Sequence, residues 1–167
     1  MDTMGGLSNL PAGHSPCRVP ELDPNLSRET LSKLYRFAVL LAGSPVGAEW
    51  MLARVFEEFS TQIGQFRTEK HRTAFLVSKI RECASISPKT EPGSPEGEGE
   101  QGQLAGRFSA LSEPSKSALA LFYLNLFPVA ELASLLNLEI EDLGGLLRAG
   151  RAQLAATTSA TGGEPAK

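Results

Sequence analysis

Apolar residues recur at helical spacing in two blocks of the chain, which a polar stretch separates. The first helix of the first block is predicted to start at Asp23-Pro24, because Asp can cap a helix and Pro fits its first position. It is predicted to end at Gly43, and its apolar face is formed by Leu26, Leu31, Leu34, Tyr35, Ala38 and Leu41. The same start signal returns at Ser44-Pro45, and Gly64 is predicted to end the second helix.

A third helix completes the first block. Thr68 is a candidate N-cap, and the pattern extends to about Ser85. Its inward positions are Phe75, Leu76, Ile80 and Cys83. Three amphipathic helices of this length predict a three-helix bundle over residues 23–86, near the lower size limit for a self-sufficient core.

The second block predicts three further helices. In the first, Ser112 is a candidate cap with Pro114 in the first turn, and the apolar stripe comprises Leu111, Ala118, Leu119, Phe122, Tyr123 and Leu126. A short helix opens at Pro128, and Asn137 supplies the turn after it, since Asn tolerates a left-handed conformation. The last helix carries Ile140, Leu143, Leu147, Ala149 and Leu154. A short helix, a tight turn and a longer helix form the helix-turn-helix pattern.

The remaining segments have no hydrophobic periodicity. Residues 87–103 are rich in Pro, Gly and Glu and predict a disordered, acidic linker. Residues 1–22 and 157–167 predict disordered tails. The predicted fold is therefore all-α: a helical domain over 23–86, the linker, and a helix-turn-helix domain over 104–156.

Charge and composition limit the functions that this chain can have. Its net charge is −3, but residues 26–86 hold nine basic and six acidic residues, which leans weakly toward a polyanion. The chain has no phosphate-binding glycine loop, Gly-x-Ser-x-Gly or His-Glu-x-x-His motif, and its carboxylates are expected on solvated surfaces, so we predict that it is not an enzyme and has no cofactor or small-molecule substrate. His71 has no second ligand at metal spacing, which argues against a metal site.

Targeting signals and cysteine usage indicate a cytoplasmic protein. The N-terminus lacks a basic region followed by an apolar run, so no signal peptide is predicted, and the longest apolar tract is interrupted as in core helices and not as in a membrane span. Cys17 and Cys83 lie in different segments and are expected to be reduced thiols.

Both blocks resemble bacterial RNA polymerase sigma factors of the extracytoplasmic-function type. The turn Gly43-Ser44-Pro45-Val46-Gly47-Ala48-Glu49 and the stretch Ala74-Phe75-Leu76 followed by Arg81 are similar to sigma region 2. The stretch from Val129 to Leu138, with Glu131, Leu132, Ala133, Leu135, Leu136 and Asn137, is similar to the helix and turn of sigma region 4.

The resemblance implies three sets of contact residues. Core RNA polymerase, or another protein partner, would meet the second helix at Glu49, Trp50, Ala53 and Arg54. Promoter DNA would meet the third helix at Arg67, Lys70, Arg72, Lys79 and Arg81, and the last helix at Arg148 and Arg151. An anti-sigma factor is a further partner that the resemblance implies.

Other interpretations remain open. Glu139 and Asp142 stand where the family has Ser and Thr, and Gly144 and Gly145 replace Lys and Ser, so a diverged sigma-like interaction module without promoter recognition is the alternative function. The basic residues of the third helix are equally compatible with a solvated helix face. Trp50 lies off the main apolar stripe, either as an exposed anchor or half-buried against the first or third helix. A two-domain helical protein with a chance resemblance is the third interpretation.

Overall fold

The described part of the chain, residues 26–86 and 106–156 of a computed structural model, is helical. In chain order it contains α1 (Arg28–Ala42), α2 (Pro45–Gln62), a 3₁₀ turn (Ile63–Gln65), α3 (Glu69–Ile86), α4 (Ser115–Leu124), α5 (Val129–Leu136) and α6 (Ile140–Ala156). The all-α prediction is confirmed for these residues, which include no strand. The predicted tails 1–22 and 157–167, the linker 87–103 and Cys17 lie outside the described residues.

The start of α1 differs from its prediction. The helix begins at Arg28 and not at Asp23-Pro24, because Ser27 is extended and its Oγ accepts the Thr30 N–H at 3.2 Å. Glu69 Oε1 also accepts the Ser27 N–H at 2.9 Å and the Thr30 hydroxyl at 2.7 Å. The first turn of α3 therefore fixes the point at which α1 starts.

The junction between α1 and α2 follows the sequence prediction. Gly43 adopts a left-handed conformation, with φ of 74°, and its N–H donates to the Val39 carbonyl at 2.9 Å. Ser44 Oγ accepts the Gly47 N–H at 3.1 Å, and Pro45 occupies the first helical position. Gly supplies the left-handed turn and Ser the missing acceptor, so local chemistry accounts for this sharp reversal.

Between α2 and α3, one prediction is wrong and one is confirmed. The α-helix ends at Gln62 and tightens into the 3₁₀ turn, which contains Gly64. Thr68 caps α3 as predicted, since its Oγ1 accepts the His71 N–H at 3.2 Å. Three aromatic rings close this end of the bundle, with Phe66 and Phe75 centroids 4.8 Å apart and Phe59 and Phe66 centroids 5.9 Å apart.

The predicted cap of α4 is wrong. Pro114 is the residue before the helix, and no side chain bonds to its first turn. Ser112 contributes its carbonyl oxygen, which accepts the Lys116 N–H at 3.0 Å, and not its hydroxyl. The hydrogen bond therefore comes from a backbone turn at residues 112–116, which replaces the expected side-chain cap.

Helix α4 is buried on opposite faces and joins the two halves of the described chain. Ser117 faces α3, because the Arg81 Nε donates to its Oγ at 3.3 Å. Leu119, about 200° further round the helix, lies against Gly150 of α6. Both residues are fully buried. The apolar cores of residues 26–86 (the N-terminal half) and 106–156 (the C-terminal half) are therefore continuous through α4. The two helical blocks of the sequence thus pack against each other.

In the C-terminal half, α5 and α6 are joined by a left-handed residue at Asn137, with φ of 56° as predicted, and Asn125 ends α4 in the same way. Leu143 and Leu147 are buried in the expected register. Ile140 and Ala149 were also expected in this apolar frame but are exposed, because Ile140 lies in the first turn and Ala149 points away from the core.

Candidate functional site

The outer face of α2 presents an exposed aromatic residue. Trp50 is 54% exposed, and the Arg54 guanidinium carbon lies 5.8 Å from the centroid of its ring. Ala53, one helical turn on, is exposed beside them, whereas Met51 and Val55 point into the core. Trp50 therefore faces outward with about half of its surface exposed.

This face continues as a shallow groove along the helix. The groove has a volume of about 600 Å³ and is lined by Trp50, Ala53, Arg54, Glu57, Glu58 and Thr61, which we call the α2 face. Val46, 77% exposed, precedes Trp50 by four residues and extends the apolar area toward the start of the helix. Glu49 is exposed beside it. The sequence reasoning missed Val46, although its i, i+4 spacing to Trp50 was a usable signal.

Charged residues of α3 border the α2 face. Lys79 Nζ lies 2.7 Å from Glu58 Oε1 and 3.1 Å from Glu82 Oε2. The hydrogen bond that the Lys79 ammonium donates to Glu58, with a second to Glu82, raises the pKa of Lys79 above its usual value. Burial raises the pKa of the neighbouring Cys83 thiol, which is a free cysteine. This border is therefore an ion-pair network in which Glu58 and Glu82 balance the positive charge of Lys79.

The five basic residues predicted for DNA contact on and before α3 do not form one open surface. Arg67 is exposed, but Lys70 Nζ pairs with Glu131 Oε1 of α5 at 2.6 Å. Arg72 Nη2 donates to the Phe66 carbonyl at 3.1 Å, and Arg81 bonds to Ser117. Together with Lys79, four of the five are engaged in contacts within the chain.

On α6, the two predicted basic residues differ in their surroundings. Arg148 is exposed. Arg151 lies over two rings, with its guanidinium carbon 5.2 Å from the Phe122 centroid and 5.4 Å from that of Tyr123. Tyr123 was expected in the apolar stripe of α4, but the structure leaves it 65% exposed.

The first turn of α6 is acidic and open. Glu139, Glu141 and Asp142 are all exposed. Gly144 and Gly145 follow them, and a methyl group added at either position would meet no atom within 4 Å. The start of α6 therefore carries carboxylates, which accept hydrogen bonds, and two glycines without side chains. A helix that reads DNA bases carries side-chain hydrogen-bond donors at such positions.

Other classes of site find no support among the described residues. Within residues 26–86 and 106–156, no group of three His, Cys, Asp or Glu side chains could hold a metal ion. In the same ranges no single helix is long and apolar enough to cross a membrane, and α1 with α2 meets that test only as a pair bent by 119°. The chain matches no family model, no curated protein and no solved structure.

Proposed function

We propose that this chain is a sigma-like transcription protein that binds core RNA polymerase through the α2 face and directs it to promoter DNA. The observation that carries the proposal is Trp50, which is more than half exposed and lies beside Ala53 and Arg54 on one stripe. These are the positions where the resemblance implies a polymerase contact. Trp and Arg are also the residues most enriched among those that dominate binding energy at protein interfaces.

The remaining exposed area of Trp50 sets the scale of the interaction. A Trp side chain buries roughly 200 Å² in full, so a partner that covers the exposed half removes about 100 Å² from water. At about 25 cal/mol per Å², this burial contributes about 2.5 kcal/mol. The Arg54 guanidinium carbon, 5.8 Å from the ring centroid, is within range of a cation–π contact that would favour one orientation of the indole.

The DNA-facing part of the proposal rests on α5 and α6. Their arrangement, a short helix, a left-handed turn at Asn137 and a longer helix, fits a helix-turn-helix unit of the sigma region 4 type. Arg148 is exposed on the second of these helices and is the residue available for a phosphate contact. Arg151 would instead support the unit by stacking on Phe122.

The experiment compares Trp50→Ala with Tyr123→Ala in binding to core RNA polymerase, followed by fluorescence anisotropy of the labelled chain. Both residues are exposed aromatics, but Tyr123 lies on α4 and does not line the α2 face. We expect Trp50→Ala to weaken binding by 50- to 100-fold, since about 2.5 kcal/mol corresponds to that factor. Tyr123→Ala should bind like the wild type. Equal affinities for all three proteins, or no binding by the wild type, would refute the assignment of the α2 face.

One observation favours a second candidate function, a sigma-like module that binds proteins and has lost promoter recognition. The exposed acidic residues Glu139, Glu141 and Asp142 would face DNA phosphates with the wrong sign. Such a module would still use the α2 face, with an anti-sigma factor as a fitting partner. The two candidates differ in DNA binding and not in the protein contact.

A further inference from the structure

Three polar contacts between the two halves pair a cation of the N-terminal half with an oxygen atom of the C-terminal half. Lys70 of the N-terminal half pairs with Glu131 at 2.6 Å, and Arg81 donates to Ser117 at 3.3 Å. Lys33 Nζ donates to the Asn125 carbonyl at 3.3 Å. In each contact the N-terminal half supplies the cation and the C-terminal half supplies the oxygen.

Two of these cations line a groove along the boundary between the halves. The groove has a volume of about 550 Å³, and its lining includes Lys33, Lys70, Asn125 and Glu131. The carboxylate of Glu131 and the Asn125 carbonyl therefore occupy positions where phosphate oxygens would otherwise bind the two lysines. A phosphate of a nucleic acid and the C-terminal half would compete for the same donors.

We propose that the C-terminal half is a built-in competitor for nucleic-acid phosphate on the N-terminal half, and that the docked arrangement holds the chain in a state of low nucleic-acid affinity. Lys70 is neutralised by Glu131, and Arg81 is turned toward Ser117. The inference rests on the proposed function only in assuming that nucleic acid meets α3. It goes beyond that function by assigning the C-terminal half a masking role at this surface.

A single substitution can remove the competing carboxylate of Glu131 and leave the packing between the halves intact. The side chains of Lys70 and Glu131 are 61% and 36% exposed, and such exposed pairs contribute little to stability. The halves are held together by the buried helix α4, whereas this pair joins α3 and α5 at the surface. Removing the Glu131 charge therefore frees Lys70 without undocking the halves.

The test measures binding of the full chain to a short, fluorescently labelled DNA duplex of mixed sequence over a range of salt concentrations. Glu131→Gln is compared with Glu113→Gln, which makes the same charge change at an exposed position of the same half, outside α6. Each additional phosphate contact steepens the slope of log K against log salt by about 0.9. We expect that change for Glu131→Gln and none for Glu113→Gln.

A double variant distinguishes the release of Lys70 from a general charge effect. In Glu131→Gln/Lys70→Gln the freed ammonium is absent, so the salt slope should return to the wild-type value. Equal slopes for the two single variants, a double variant as steep as Glu131→Gln, or no DNA binding by any of these proteins would each overturn the proposal. Polymerase binding through the α2 face is measured separately with Trp50→Ala, so failure of one proposal leaves the other interpretable.

Discussion

Gly150 provides a sharp test of the packing between α4 and α6. It lies buried on α6, and a Cβ atom added there would be 2.5 Å from Leu119 Cδ1 and 3.2 Å from Leu119 Cγ. Leu119 has no exposed area, so it cannot swing into solvent to make room. Gly145 lies on the same helix, but a Cβ added there meets nothing within 4 Å. The two glycines therefore form a matched pair, one packed and one open.

The expected magnitudes follow from two opposing terms. Replacing a mid-helix Gly by Ala stabilises the helix by about 1 kcal/mol at either position. At Gly150 the new methyl group also overpacks the core, which costs about 1–3 kcal/mol. Gly145→Ala should therefore raise the free energy of unfolding by about 1 kcal/mol. The free energy of unfolding of Gly150→Ala should be about 1–3 kcal/mol lower than that of Gly145→Ala, because both variants gain the same helix stabilisation and only Gly150→Ala overpacks the core.

Urea unfolding followed by circular dichroism measures both variants, and unchanged m-values would show that stability alone has changed. In a Leu119→Ala background the shortened side chain leaves space for the methyl group, so the penalty of Gly150→Ala should disappear, as a double-mutant cycle would show. If Gly150→Ala stabilises the protein as much as Gly145→Ala does, α6 does not pack on α4 through this contact.

Two further predictions concern α6 and the first turn of α3. Changing Glu139 to Ser, Asp142 to Thr and Gly144 to Lys together should raise DNA affinity and steepen its salt dependence if α6 meets DNA, and no change in either quantity would show that it does not. Hydrogen bonds from the Ser27 N–H and the Thr30 hydroxyl lower the pKa of Glu69 below its usual 4.5. Because this pKa is lower in the folded state, ionised Glu69 stabilises the protein above the unfolded-state pKa, and that stabilisation is lost as the pH falls through the folded-state pKa. Glu69→Gln should therefore flatten the loss of stability below pH 4.5. An acid unfolding profile that does not change would contradict these hydrogen bonds.

Local chemistry explains which helix boundaries could be predicted. Gly43, Ser44 and Asn137 act through their own backbone and neighbouring N–H groups, so the sequence alone identifies them. The predictions at Asp23-Pro24 and Ser112 were wrong, the first because of a tertiary contact and the second because of a local backbone turn. Glu69 of α3 fixes the start of α1, and a backbone turn replaces the cap of α4.

Packing between elements accounts for what the sequence did not predict. Gly150 continues the Leu143 and Leu147 stripe at i+7 and i+3, so its close approach to α4 had a detectable signal. The pairing of Lys70 with Glu131 had none, since the two residues are 61 positions apart and belong to separate helical patterns. Hydrophobic periodicity identifies the face of α2 that packs in the core, but it does not show how much of the opposite face other elements cover. It therefore could not decide whether Trp50 is exposed.

Hydrogen–deuterium exchange of the full chain, alone and with core RNA polymerase, tests the central claim most directly because it locates the contact without any substitution. We predict slower exchange over residues 49–61 of α2 in the presence of polymerase, with α6 unchanged in the absence of DNA. Exchange that is unaltered throughout the chain, or slowed only in α6, would contradict polymerase binding by the α2 face.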